Sequence, residues 1–369
     1  EAYYPLETFY CENCSLVQLG YIVDPKILFN EYSYTTGTNN SLIKNFNELV
    51  KKLVNEFKLT KNDLAIDIGS NDGTLLKNYL EHNVKILGIE PSSVADIAIQ
   101  NDVPTFKGFF NKETAIEISK KHEKAKVVTA TNVFAHVKDI ASFMEGIKEI
   151  LKDDGIFVQE SHYFLSLFKN MQWDSIYHEH IRYYTLKSLK YLFDLFDMDL
   201  FDAEIISTHG GSIRTYSCKK GNHKISKNIM TLLKTEEDAG LFEKDTYLRF
   251  GKDVVAHKTE IQELLAGLKK EGKEIIGIGA PAKGNTLLNY CEITPKIMSC
   301  LAEKSDLKIG LYTPGTHIEV VKESTALERN PDLAFMLSWN IADELIPKLK
   351  KLGFNGKFVV PSPKLRIVE

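Results

Sequence analysis

At 369 residues, 43% hydrophobic and 10% aromatic, the chain has the apolar side chains for full cores and is too long for one of them, so two or three domains are expected. A formal charge of -4 and a pI near 6.3, without a basic stretch, argue against a nucleic-acid partner. No apolar run reaches membrane-span length, EAYYPLETFY is no signal peptide, and 5 cysteines in so long a chain suit a reducing compartment, so a cytoplasmic protein without membrane association is expected.

The sequence opens on Glu1 and not on Met, which predicts residues upstream of it. Cys11 and Cys14 form a C-x-x-C loop that offers two thiolates to a tetrahedral zinc, half of the four ligands a structural site needs. A zinc knuckle whose first pair precedes residue 1 is the favoured reading, with a free dithiol or a redox pair beside it. The aromatic-polar stretch FNEYSYTTGT (residues 29–38) reads as a loop. Residues 41–57 then carry apolar side chains at helical spacing, from Leu42 and Ile43 to Leu53 and Val54.

The stretch LAIDIGSNDGTLLKNYL (residues 64–80) organises the chain. It reads as a buried strand, a glycine turn and a helix, the way an open α/β sheet presents a nucleotide site at its first strand. The spacing is acid-x-G-x-x-x-G, with Asp67 ahead of Gly69 and Gly73, and not the dinucleotide G-x-G-x-x-G. A second strand, VKILGIE (residues 84–90), ends in Glu90, placed for ribose hydroxyls. The alternation continues with helices at 93–100, 112–121 and 140–151 and strands at 104–106, 126–131 and 155–160, which calls for a doubly wound sheet. His136 and His162 fall just beyond two of its strand ends.

WDSIYHEHIRYY (residues 173–184) is chemically the densest stretch. In an extended loop Tyr177, Glu179 and Ile181 face one way and His178 and His180 the other. The H-x-H pair suits a metal, a packed core histidine or a proton-transfer site; an imidazole beside a carboxylate or phenol titrates near working pH, which favours the last. HGGSIRTYSC (residues 209–218) suits a hairpin end or a phosphate site built on Arg214. Residues 222–268 read as a solvated helical connection. EIIGIGAPAKGNT (residues 274–286) opens a second α/β unit whose turn suits phosphate through backbone N–H groups and Lys283, a lone G-x-G being weak support for NAD.

Together these motifs resemble one family, the three-domain S-adenosylmethionine (SAM)-dependent sugar C-methyltransferases that act on nucleotide-linked keto-deoxysugars. PLETFYCENCSLVQL, DIGSNDGTLL, NVFAHV, IYHEHIRYYTL, GGSIRTY, GAPAKGNTLLNY and LYTPGTHI carry the likeness across essentially the whole chain. The resemblance implies an α/β protein: a partial amino-terminal zinc-binding module (1–30), a class I, Rossmann-like SAM methyltransferase domain (31–222), and a carboxyl-terminal Rossmann-like domain (223–369) for the nucleotide sugar. Its zinc ligands match only Cys11 and Cys14. Its SAM residues fall on Asp67, Gly69, Asn71, Gly73, Glu90 and Asn132. Its catalytic residues fall on Tyr177, Glu179, His180 and His136, with Tyr32 or Tyr34 from the early loop. Arg214, Lys283 and Asn285 are expected at the substrate, in a monomer or weak homo-oligomer. The competing readings are a SAM-dependent O- or N-methyltransferase, an NAD-linked oxidoreductase and a scaffold with a degenerate SAM fold.

Overall fold

The structure, a computed structural model, describes residues 1–29, 35–38 and 40–369. Tyr32 and Tyr34 lie outside the described residues. The chain divides into two compact units, one of Glu7–Leu165 and His178–Phe242, the other of Glu1–Leu6, Ser166–Tyr177 and Glu243–Glu369. Its strands in chain order are β1 (Thr8–Tyr10), β2 (Val17–Leu19), β3 (Leu64–Ile68), β4 (Lys85–Glu90), β5 (Thr105–Lys107), β6 (Ala125–Thr131), β7 (Leu151–His162) and β8 (Arg182–Tyr183). There follow β9 (Met198–Ile206), β10 (Ser212–Lys219), β11 (Ile275–Ile278), β12 (Leu301–Glu303), β13 (Val320–Lys322), β14 (Leu333–Met336), β15 (Lys357–Val360) and β16 (Arg366–Val368).

The larger unit is built on a 7-stranded sheet in the order β5-β4-β3-β6-β7-β10-β9. From β5 to β7 the pairs are parallel, and β10 runs antiparallel to both β7 and β9. The chain winds outward from β3 to β5 and then returns to β6, so the carboxyl ends of β3 and β6 flank the switch point where such sheets open a ligand crevice. All five residues of β3 are buried, which its unbroken apolar run foretold for a strand covered on both faces. Helix Asn40–Glu56 covers one face: Leu49, Val50 and Leu53 are fully buried against Ala65, Val127, Ile156 and Val158. Each such side chain contributes about 1.5–3 kcal/mol. Asn111, Asp139 and Thr185 cap the helices Lys112–Lys121, Ile140–Ile150 and Leu186–Leu195, as their short polar side chains favour.

The smaller unit carries a 6-stranded sheet in the order β13-β12-β11-β14-β15-β16, parallel except for the antiparallel β16. It repeats the same winding, outward from β11 to β13 and back to β14. Among the described residues no helix is long and apolar enough to cross a membrane.

Two expectations are corrected, and a third holds with a qualification. The division is not the linear one into 1–30, 31–222 and 223–369. β2 pairs with β8 far along the chain, which joins the amino-terminal hairpin to the larger unit, and Ser166–Tyr177 belongs to the smaller one. Residues 222–268 are helical as expected, in helices Lys227–Asp238 and Lys244–Lys270, parted near Gly240 at φ 74°, and most of their residues are not buried. The qualification is that each also packs through a few positions, the first burying Ile229 and Glu236 and the second Phe250, His257, Ile261 and Leu265. Finally, residues 177–179 turn where an extended loop was expected, so the alternation of Tyr177 and Glu179 against His178 and His180 does not apply.

Candidate active site

The glycine turn after β3 is fastened to the next strand. Gly69 N and Ser70 N donate to Ile89 O at 2.7 and 3.2 Å, and Asn71 N donates to Glu90 Oε2 at 3.0 Å. Ser92 N holds the other oxygen of Glu90 at 2.9 Å. A carboxylate oxygen accepts two hydrogen bonds, so each oxygen of Glu90 keeps a lone pair. Gly69 and Gly73 sit at φ 68° and 78°, where a side chain is strained, and a Cβ on Gly69 would come within 2.3 Å of Val133 Cγ2. The turn therefore lies directly against the NVFAHV segment. Asn71 Oδ1 accepts from Thr36 N at 2.9 Å, and Asp72 Oδ2 from Gly37 N at 2.7 Å, which ties the stretch before the first long helix to this turn. Asn132, at φ 57° beyond β6, donates its N–H to Glu160 O at 2.9 Å.

Across the same edge runs a row of buried charge. Glu160 on β7 stands opposite Arg214 on β10, and Arg214 opposite Glu204 on β9. The guanidinium donates through Nε to Glu160 at 2.6 Å, through one terminal nitrogen to Glu204 at 3.2 Å, and through the other to Asn45 Oδ1 at 2.9 Å. Arg214 is thus held inside the fold, and the phosphate role expected for it is corrected: register places its fork between two carboxylates. HGGSIRTY accordingly proves a hairpin, the link from β9 to β10. Nearer the switch point Asp67 accepts from Thr129 Oγ1 at 2.5 Å. Burial pushes its carboxyl up to about 7; the Thr129 bond opposes the shift, and the charges of Glu90 and Glu160 add to it.

The YHEH segment meets the NVFAHV turn at the end of β6. Ile181 N donates to Ala135 O at 2.9 Å, and Arg182 donates to the carbonyls of Val137 and Lys138. These bonds bring the rings of His136 and His180 to 5.1 Å between centroids, 26° from parallel. His162, at the end of β7, lies 6.4 Å from His180. The sequence placed His162 beyond a strand end but gave it no role; it is the last residue of β7, whose pairing with β6 brings it here. Dense surroundings push His136, half-buried by area, down to about 4. Burial also raises the carboxyl of Glu179. Tyr177 is half-buried and ends the segment Ser166–Tyr177 of the smaller unit.

Two further features bear on the expected sites. Cys11 and Cys14 turn the hairpin from β1 to β2, with Ser15 N donating to Cys11 O at 2.8 Å. Among the described residues no third His, Cys, Asp or Glu joins them, so they amount to half of a tetrahedral zinc set and do not fit the ion as a complete site. In the smaller unit Gly279 N donates to Ala302 O at 2.8 Å and Ala280 N to Glu303 Oε2 at 2.9 Å, the fastening seen at Gly69 and Glu90. Glu303 was not singled out from sequence, although an acid ending the strand after a glycine turn was signal enough. Lys283 donates to Asn340 Oδ1 and lies 4.2 Å over the Trp339 ring. Burial pulls its ammonium down to about 8, against the pull of Asp174. Trp339 Nε1 donates to buried Asp174 at 2.6 Å. Asn285 lies in the first turn of helix Ala282–Tyr290, and its Oδ1 is buried without a partner among the described residues.

A family model described as a methyltransferase domain matches residues 42–201, and one described as the C-methyltransferase C-terminal domain matches residues 207–363. C-methyltransferase NovU of Streptomyces niveus is 32% identical over 371 residues, which span 100% of this chain and 88% of that protein. Among solved structures, PH0226 protein from Pyrococcus horikoshii OT3 aligns with TM-score 0.42 at 14% identity, over 51% of this chain and 95% of that one. Magnesium protoporphyrin IX methyltransferase (ChlM) from Synechocystis PCC 6803 with bound SAH aligns with TM-score 0.39 at 11% identity, over 53% and 92%.

Proposed function

The chain belongs to the C-methyltransferase family and is a SAM-dependent methyltransferase, and on that premise we propose that it methylates a ring carbon beside the ketone of a nucleotide-diphosphate-linked keto-deoxysugar. The residues around the switch point suit the cofactor: Glu90 has a free lone pair on each oxygen for a vicinal diol. Asp67, Gly69, Asn71, Gly73, Glu90 and Asn132 are the residues that would hold it. SAM, when bound, supplies an electrophilic methyl group.

What this chain must then supply is a nucleophilic carbon, and a sugar offers one only next to a carbonyl. One observation carries the reading: two imidazoles, His136 and His180, stacked at 5.1 Å where the YHEH segment is bonded to the turn that touches Gly69. In the proposal His180 takes the proton alpha to the ketone, and neutral His136 donates a hydrogen bond to the oxygen on which charge develops. One preorganised donor at such an oxygen is worth about 3 kcal/mol. Tyr177 is assigned as a second donor and Glu179 as the group that orients an imidazole or contacts the sugar. Lys283 and Asn285 are assigned to the diphosphate. These assignments rest on the resemblance of YHEH and GAPAKGN.

The test is solvent exchange. SAM-free protein incubated with nucleotide 4-keto-6-deoxysugars in D2O is expected to place deuterium on the carbon beside the ketone, and His180→Asn to lose that exchange. Methyl transfer by the wild type without any exchange would favour O- or N-methylation instead.

A further inference from the structure

The segment that carries His180 grips the backbone on both sides of His136. Ile181 N donates to Ala135 O at 2.9 Å, one residue before His136. The Arg182 guanidinium donates to Val137 O and, at 3.3 Å, to Lys138 O, the two residues after it. Two successive residues thus hold three carbonyls that bracket one imidazole. The bracketed piece is a single helical turn, Phe134–His136, that gives way to extended backbone at Val137. A lone turn is weakly held by its own bonds, so its position depends on what grips it.

The grip is backed from the other side. β8, which Arg182 begins, pairs with β2 through Gln18 and Val17, and Leu19 N donates to Ile181 O at 2.9 Å. Ile181 is 4% exposed and bonded through both its N–H and its carbonyl, so Arg182 projects from a fixed backbone. Its bonds go to carbonyls, which spends a charged side chain on holding a turn. A guanidinium presents planar donors at a fixed separation and can hold two acceptors at once, where a lysine ammonium acts as a point.

Resting on the assignment of His136 and His180 to the reaction, we propose that Arg182 is a positioning residue that clamps the Val137 and Lys138 carbonyls and so keeps the His136 ring in place on His180. It acts through the turn and touches neither substrate nor cofactor. A proton acceptor and a donor to the developing oxyanion must be aligned on one substrate together, and a misplacement of about 1 Å costs on the order of 10²-fold. The loss belongs to the reacting geometry, so it falls on the maximal rate and leaves the affinity for the sugar alone.

The test measures SAM-free deuterium exchange beside the ketone of nucleotide 4-keto-6-deoxysugars, with the full chain, across a range of sugar concentrations. Arg182→Ala is expected to lose on the order of 10²-fold in maximal exchange rate, with the sugar KM within about twofold of the wild type. Ethylguanidinium added to that variant is expected to restore part of the rate, because it supplies the missing fork; a general loss of stability would not respond to it. An unchanged maximal rate, or a raised KM at an unchanged rate, would overturn the proposal, the second by making Arg182 a substrate contact. If Arg182→Ala does not fold, Arg182→Lys decides: a loss of about tenfold at constant KM supports the proposal and full activity overturns it. Absence of exchange in the wild type would instead strike at the C-methylation reading, so the two failures are distinguishable.

Discussion

The imidazole of His136 stacks on that of His180, 5.1 Å between centroids and 26° from parallel. Two charged rings at that separation would repel, and burial already holds His136 neutral down to about pH 4. One neutral ring therefore stays a hydrogen-bond donor beside its neighbour. His136→Gln is expected to lower kcat on the order of 10²-fold without moving the acid limb of the pH–rate profile. A moved limb would mean that His136 itself titrates in the working range.

Arg214 is bonded to Glu160 and Glu204 in the register β7-β10-β9. Removing it leaves Glu160 buried and unpaired, which costs about 3–5 kcal/mol. Arg214→Met is expected to lose stability on that scale in urea unfolding. An unchanged unfolding midpoint with a weaker KM for the sugar would restore the substrate role that the sequence suggested.

Gly69 and Gly73 are constrained in both φ and space, with Cβ positions 2.3 Å from Val133 Cγ2 and 2.8 Å from Val103 Cγ2. Gly69→Ala and Gly73→Ala are expected to cost about 1–3 kcal/mol each, measured by denaturation, because a left-handed φ and a clash add. SAM affinity should fall with them, since the turn they form carries Asn71 against Glu90. Alanine variants as stable as the wild type would mean that the turn can relax.

Asp67 also predicts a stability change with pH. Its folded pKa, about 7, lies above the ordinary 3.8, so the folded state holds the proton more tightly. Stability from this group is complete below about pH 4 and is lost as pH rises through 7. His136 acts in the opposite sense: its lowered pKa makes stability rise with pH between about 4 and 6.5. The His136 contribution is common to both proteins and cancels in their difference, so between pH 6.5 and 7.5 the wild type should lose about 0.5–1 kcal/mol more than Asp67→Asn. Parallel curves for the two proteins would show that Asp67 does not titrate there.

What the sequence made legible was local. The apolar run of β3, the glycine turn and Glu90 lie within one β-α-β unit, and helix Asn40–Glu56 follows from spacing alone. What stayed hidden depended on register between distant strands. Arg214 could be read as a phosphate ligand because nothing near it in the chain reveals Glu160 or Glu204 as its partners. Glu236 looked like one more solvated acid in a lysine- and glutamate-rich stretch. It is fully buried, accepting from the Tyr163 hydroxyl and from the backbone N–H groups of Leu186 and Lys187 at a helix start. His180 was picked out by composition, but its contact with His136 comes from the bond between Ile181 and Ala135.

The central claim is methyl transfer to carbon, and the position of the new methyl group tests it most directly. SAM labelled with 13C in its methyl group, turned over with a panel of nucleotide 4-keto-6-deoxysugars, gives a product whose heteronuclear NMR correlations identify the atom that bears the label. The account predicts a labelled methyl bonded to the ring carbon beside the ketone. A label bonded to oxygen or nitrogen would contradict it.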